Sequence, residues 1–518
     1  MPVTLRARSR RFLVWILLAL PMGTVSLPAD AAISAAQRAR AVASGIVGTA
    51  VLDKLEEAET VRVVVVFSDS PRPALDPRGE GRVRPAVQRR AAPRGRAAIE
   101  RRLRRVATRR QEILRGMAPG EVRMRRAFDV VEGFSAEVSA AGLMRLIERP
   151  RVQRVDLEAN VEAQLAEAVP QVKLAALGSL GWTGTGVRVA IVDTGVDLSH
   201  PDLGSAVVGE RCFCADPGGT GCCPDGSSDQ AGPGSAQDDH LHGTLVAGVL
   251  TSDGVVAPPG GAPDAEIVAV KVLGSGGTGR LTDLVAGLDW VLVNRPDVKL
   301  LNLSLGFPGY AGDCDTADAN TMALAMAVDS LHANGVLTVS ASGNEGSGTL
   351  IHAPACLSNA LAVGAVWDAN LGTRSVLGCT DVTTAADQVT CYSNSNDRVD
   401  VFAPGGQMTT TLLGGGITNN GHGTSLAAPV VAACAAALLQ AFPSATPATL
   451  EAALEASPTL VTDATNGLNF PRIDCVEAFL QMGGVVPVPV ASTPGLAVLA
   501  GVLLIAGTIL KVRRSRRP

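Results

Sequence analysis

The chain holds 518 residues, more than one domain usually contains, and is 47% hydrophobic but only 3% aromatic, so its core must be built from Ala, Val and Leu. The formal charge of −4 hides an asymmetry: residues 33–160 carry 26 Lys+Arg against 16 Asp+Glu, and residues 161–484 carry 10 against 32. The two blocks are expected to attract each other, and the arginines come with no nucleic-acid motif, so nucleic acid is not an expected partner.

Residues 1–31 read as an export signal. Arg6, Arg8, Arg10 and Arg11 precede the apolar run FLVWILLAL, and Ala29-Asp30-Ala31 offers small residues for cleavage. Residues 33–160 make a separate unit. VRVVVVF (61–67) predicts a strand, the Pro/Gly/Arg stretch after it a loop, and RAAIERRLRRVATRRQEILRGM a helix that ends before Pro119-Gly120. The remainder predicts strand, turn, strand, a helix over 140–148 and a last strand, together a small α+β domain. Residues 161–183 read as a linker.

From 184 to 482 the pattern changes. VRVAIVD, EIVAVKVL, LLNLSLG, VLTVSAS and ALAVGAV alternate with the helical DLVAGLDWVLVN, ANTMALAMAVDSLHANG and SLAAPVVAACAAALLQAF. Buried β-branched strands joined by crossover helices predict an α/β fold on a mainly parallel sheet flanked by helices, with its site beyond the strands' carboxyl ends. Residues 483–518 close the chain with a Pro-rich linker, the apolar run Leu496–Leu510 and the basic KVRRSRRP. As a helix, Pro494 to Val512 would reach about 28 Å, which predicts a membrane anchor or a sorting tail with its basic end cytoplasmic.

All ten cysteines lie between Cys212 and Cys475, as suits an oxidising compartment. Cys212, Cys214, Cys222 and Cys223 crowd one insert. Their spacing is not that of a zinc finger or ribbon and favours two local disulfides. Cys379 with Cys391, Cys314 with Cys356 and Cys434 with Cys475 are the other candidate pairs, although spacing alone does not fix connectivity.

Four polar residues sit at the ends of the apolar elements. Asp193 ends VRVAIVD, His242 opens the helix HGTLVAGVL, Asn344 follows VLTVSASG, and Ser425 opens the helix SLAAPVV. Each has an ordinary reading: a capping acid, a structural histidine, a turn asparagine and a helix-capping serine. Each also has a chemical one. Histidine supplies a base near neutrality, an Asn amide a fixed neutral donor, and a helix N-terminus an N–H aimed at negative charge.

Together, IVDTGVDLSHPDL, HGTLVAGVL, ASGNEG and GTSLAAPVVAA resemble the subtilisin-like serine proteases, or subtilases. The resemblance implies an exported serine endopeptidase with Ser425 as nucleophile, His242 as general base and acid, Asp193 orienting His242, and Asn344 stabilising the oxyanion with the Ser425 N–H. It implies that residues 33–160 are a propeptide, chaperone and inhibitor in one, cut off autocatalytically between about Ala159 and Val169. LNLSLGF and the strand before Asn344 would flank an extended peptide substrate, with Ser304, Leu305 and Gly306 giving backbone bonds and pocket walls. A monomer is expected, located outside the cytoplasm, whose tail engages a membrane or a sorting protease. No cofactor or metal is required. Calcium is common in the family, but TSDGVVAPPGGAP is shorter than the loop that carries it in subtilisins. His240, Leu241, Leu245, His422, Leu426 and Val430 depart from the family pattern, and His240 and His422 are expected to be structural. The rivals are a catalytically dead binding protein on the same fold, and a maturation protease with one cellular substrate.

Overall fold

The apolar runs become strands because their β-branched side chains pack well on a pleated surface, and parallel pairing buries both faces. In the computed structural model, which describes residues 33–71, 95–158, 160–163, 171–216 and 218–486, they form a nine-stranded sheet. Its order is Gly416–His422, Val401–Leu412, Ala360–Trp367, Leu337–Ala341, Val298–Leu303, Arg188–Asp193, Glu266–Lys271, Val207–Cys212 and Gln230–Ala231. All neighbouring pairs are parallel except the two outermost, which close each edge antiparallel. The export signal and the C-terminal apolar run expected from the sequence lie outside the described residues.

Strand periodicity sorts the core into two layers. Val189 and Ile191 pack with the helices His242–Thr251 and Thr424–Ala441, while Ala190 and Val192 pack with Leu281–Asn294 and Ala319–Ala333. The helix Thr424–Ala441 is long and apolar enough to cross a membrane, yet it is almost wholly buried as the core helix of this layer.

Residues before 158 form their own four-stranded antiparallel sheet, in the order Val122–Ala127, Gly133–Ser139, Thr60–Phe67 and Val152–Leu157, with the helices Arg96–Leu114 and Ala140–Ile147. Val63, Val65 and Phe67 face this unit's own core, whereas Val64 and Val66 join the core of the large unit beside Leu281–Asn294 and Ala319–Ala333. The seam is polar at its rim. Arg126 meets Asp283 at 2.5 Å, in the sense the opposite charges predict. Glu158 with Arg280 at 3.2 Å runs the other way, and Asp156 accepts the Ala319 N–H at the N-terminus of a large-unit helix. Individual pairings, not the two net charges, therefore align the units.

The stretch read as a linker is partly structured. Asn160–Ala163 is a strand, and Leu174–Ser179 is a short helix behind Lys173, whose ammonium meets Asp474 at 2.5 Å. All ten cysteines are paired: Cys212–Cys223, Cys214–Cys222, Cys314–Cys356, Cys379–Cys391 and Cys434–Cys475.

Chain entropy ranks these staples by the loop each closes. Replacing both Cys314 and Cys356, which are 42 residues apart, is expected to cost about 4 kcal/mol, and replacing Cys214 and Cys222, 8 apart, about 2.5 kcal/mol. Denaturant unfolding of the two double alanine variants gives the order.

Candidate active site

Asp193 ends its strand fully buried, and its Oδ1 accepts the Thr194 N–H at 2.7 Å. The chain then turns at Gly195 (φ 109°), where a Cβ would lie 2.5 Å from the Ala236 carbonyl oxygen. That turn lets the helix His242–Thr251 approach. The Gly243 N–H donates to Thr194 Oγ1 at 2.8 Å, and a Cβ on Gly243 would stand 1.9 Å from the Gly195 oxygen. His242 consequently places Nδ1 2.7 Å from Asp193 Oδ1 and Nε2 3.2 Å from Ser425 Oγ. With Nδ1–H donated to the carboxylate, Nε2 is left as the acceptor for the serine hydroxyl.

The capping reading of Ser425 does not hold. Gly423 is the cap, with φ 130° and no side-chain cap bond, and Ser425 lies inside the first turn with its hydroxyl on His242. Asn344 stands beside this turn. The Thr424 N–H and hydroxyl donate to its Oδ1 at 2.8 and 3.0 Å, which fixes the amide and leaves its NH2 as the donor end.

The three residues expected to wall the cleft divide. Ser304 is buried, accepts from Asn302 Nδ2 at 2.8 Å and donates to the Ser425 carbonyl, so it braces the serine's turn. Leu305 and Gly306 pair antiparallel with Ala163 and Glu162 of the strand Asn160–Ala163. The strand before Asn344 stays in the central sheet between Val298–Leu303 and Ala360–Trp367. On its other edge the inserted strand pairs antiparallel with Thr278–Arg280. The cleft thus already holds an extended segment of this chain.

Two further groups escaped the sequence reading. Thr424 is one. Lys271, fully buried, donates from Nζ to the Thr194 and Leu273 carbonyls at 2.7 and 2.8 Å and to Asp239 at 2.6 Å, bracing the turn after Asp193. A lone lysine inside EIVAVKVL was the available signal, because a buried ammonium has to be partnered. The other nearby histidines serve elsewhere. Burial, and then Arg374, push His422 down to about 4, and its Nδ1 accepts the Gln407 N–H. Burial, and then the charge of His242, lower His240.

The loop Thr251–Pro263 does not suit calcium. Asp202, the carboxylate it wraps, accepts the backbone N–H groups of Val255, Val256 and Ala257, and these outweigh burial to hold it below its ordinary range. The loop presents donors where a cation needs oxygens.

A carboxylate at the end of a parallel strand, in series with an imidazole and a hydroxyl on two helix N-termini and beside a fixed amide, fits a serine hydrolase on an α/β sheet. Comparison with known proteins makes the class specific. Residues 184–471 match the subtilase family. Subtilisin E of Bacillus subtilis (strain 168) is 33% identical over 347 residues, covering 65% of this chain and 78% of its own. The subtilisin of Bacillus pumilus is 35% identical over 304 residues (57% and 93%), and an alkaline protease of Alkalihalobacillus alcalophilus 33% over 329 (62% and 73%). The chain belongs to the subtilase family and is a subtilisin-like serine endopeptidase.

Gly243→Ala should force the His242 helix off the Gly195 turn and lengthen the 2.7 Å bond to Asp193. A fall in kcat/KM of about 10²-fold is expected, because small misplacement of reacting groups is costly, together with loss of the low-field Nδ1 proton resonance in NMR.

Proposed function

We propose that Ser425, His242 and Asp193 are the catalytic triad of a zymogen, and that residues 33–160 are its propeptide. The observation that carries this is the 2.7 and 3.2 Å series of contacts opening onto a cleft filled by Asn160–Ala163. As Ser425 Oγ attacks a peptide carbonyl, its proton passes to His242 Nε2, and Asp193 stabilises the imidazolium. The oxygen that gains charge is met by the Asn344 NH2 and the Ser425 N–H. The C–N bond then breaks as His242 gives its proton to the leaving amine. Water repeats the sequence on the acyl ester and releases the acid.

Antiparallel pairing of Glu162 with Gly306 and of Ala163 with Leu305 runs the inserted strand toward Ser304, whose hydroxyl touches the Ser425 carbonyl. Self-cleavage is therefore proposed just beyond Ala163, inside the expected interval. The leading arginines, the apolar run and five disulfides support action outside the cytoplasm, with the C-terminal segment as anchor or sorting tail.

Ser425→Ala should leave the chain uncut and unlabelled by a fluorophosphonate, while the wild type gives a mature N-terminus between 164 and 171. A wild-type N-terminus inside 33–150 would sink the propeptide assignment. Asn344→Ala should lower kcat by about 10²–10³-fold with little change in KM, the loss usual when one such donor is removed from a subtilisin-type site.

Propeptide release should depend on pH. Burial lifts Asp283 and Asp289 from the ordinary 3.8 to about 6 beneath the seam, where Asp289 accepts the Asp129 and Val130 N–H groups. Separation is proposed to open Asp289 to water, so association takes up a proton between about 4 and 6. The complex gains stability as pH falls from 6 toward 4 and loses it as pH rises through 6. The cleaved complex should yield activity more slowly at pH 5 than at 7.5, with aliquots assayed at one common pH, and Asp289→Asn should reduce the difference.

A further inference from the structure

Beyond the start of the inserted strand Asn160–Ala163 lies a contact that the triad does not use. Arg280 pairs in register with Asn160, and its guanidinium reaches past that residue to Glu158. Arg280 Nη1 donates to Glu158 Oε2 at 3.2 Å, and the Thr282 hydroxyl donates to Glu158 Oε1. Each oxygen of one carboxylate thus has its own donor, and one of the donors is cationic. The contact is nearly dry, with 8% of the Arg280 side chain exposed and 4% of that of Glu158. Both donors stand at the N-terminus of the helix Leu281–Asn294, where the backbone also favours negative charge.

The large unit aims this guanidinium by itself. Arg280 Nε and Nη2 donate to the Asp216 carbonyl at 3.2 and 2.9 Å. Asp216 lies in the cysteine insert, between Cys214 and Cys222, which are joined to each other, and its N–H donates to the Thr220 carbonyl at 2.8 Å. The insert that separates Asp193 from His242 therefore holds Arg280 toward the end of the cleft through bonds that do not involve Glu158. Glu158 sits where the propeptide sheet gives way to the cleft strand: its N–H donates to the Arg62 carbonyl, and Asn160 begins the pairing with Arg280.

Taking residues 193, 242 and 425 as the triad and Asn160–Ala163 as the track a substrate follows, we infer that Arg280 and Thr282 form a distal subsite of the mature enzyme, one that binds a carboxylate side chain of a protein substrate. A cut just beyond Ala163 places Glu158 about six residues before it, so the acidic residue is selected about that far from the scissile bond. Cleavage and release carry Glu158 away, while Arg280 and Thr282 stay with the enzyme. A carboxylate on the incoming chain then restores the match for a guanidinium and a hydroxyl in a nearly dry site, whereas an apolar or cationic side chain does not. Bulk attraction does not account for such a preference, because residues 161–484 carry 10 Lys+Arg against 32 Asp+Glu and repel acidic substrates as a whole. Selection is confined to one position and to chains long enough to reach it.

The test uses mature enzyme prepared from the full chain and quenched peptides of one sequence, in which Glu, Gln or Lys is moved in turn through the positions four to nine residues before the cut. With Glu six or seven residues before the cut, wild type should show kcat/KM at least tenfold above the Gln counterpart, mainly through KM, with no comparable gain from Glu at the other positions. Arg280→Gln should bring the Glu-to-Gln ratio to about one, Arg280→Glu should make Lys preferred over Glu at that position, and Thr282→Val should lower the ratio about threefold. A wild-type scan without a Glu advantage there, or an advantage that survives Arg280→Gln, overturns the inference. If the Arg280 variants do not mature, the wild-type scan decides alone. Fluorophosphonate labelling separates this from the wider reading: an enzyme that labels at Ser425 but shows no Glu advantage refutes only the subsite, and one that does not label refutes the triad.

Discussion

Everything in the large unit follows from a parallel sheet that must bury both of its faces. Every residue of Leu337–Ala341 and Ala360–Trp367 is buried, so charged groups are costly within these strands and collect where they end. Asp193 is the sharpest case. A carboxylate at the end of a buried strand is costly without partners, and the Thr194 N–H and the His242 imidazole supply them. The requirement that makes Asp193 tolerable is the one that orients His242 toward Ser425. Glycine completes the arrangement at Gly195 and Gly243, where no side chain could occupy the space between the turn and the helix.

The same sheet explains how a second unit can be held against the first. Strand alternation gives Val63 and Val65 to one core and Val64 and Val66 to the other, so one strand of the N-terminal unit serves two hydrophobic layers. Asp289 then receives two backbone N–H groups from the loop after Phe128, and Asp156 receives one from the Ala319 helix. The polarity of these contacts is reciprocal: each unit offers a carboxylate to the other's backbone. A block charge difference could bring the units together from a distance, but it carries no register. The registered contacts lead the chain through Glu158 into the cleft.

How much of this the sequence revealed depends on how local the signal was. The central strands, the crossover helices and the residues at their ends are local, since an apolar run and the polar residue that stops it are neighbours in the chain. Asp193, His242, Asn344 and Ser425 were legible for that reason. The cleft walls were not. LNLSLGF reads as one strand but breaks at Ser304, with Val298–Leu303 in the central sheet and Leu305–Tyr310 in another, and the bracing role of Ser304 arises at that break. Thr278–Arg280 has three residues, one of them glycine, and becomes a wall only by pairing with Asn160–Ala163. Lys271 carried a signal that was passed over, whereas Thr424 carried none, because its contact with Asn344 is assembled only by the tertiary fold.

Departures from the family's pattern show the same logic at the loops. A surface loop needs something to hold it, and a cation coordinated by carbonyl oxygens is one solution. Here the loop after the His242 helix turns its N–H groups inward onto Asp202, so one carboxylate collects three donors. The two solutions exclude each other locally, since the backbone cannot present N–H and C=O to the same point. Elsewhere the chain uses covalent staples: Cys212–Cys223 and Cys214–Cys222 fasten the insert between Asp193 and His242, and Cys314–Cys356 and Cys379–Cys391 fasten two further loops. Disulfides form only where the surroundings oxidise thiols, so a fold whose loops are stapled in this way binds its stability to an oxidising compartment.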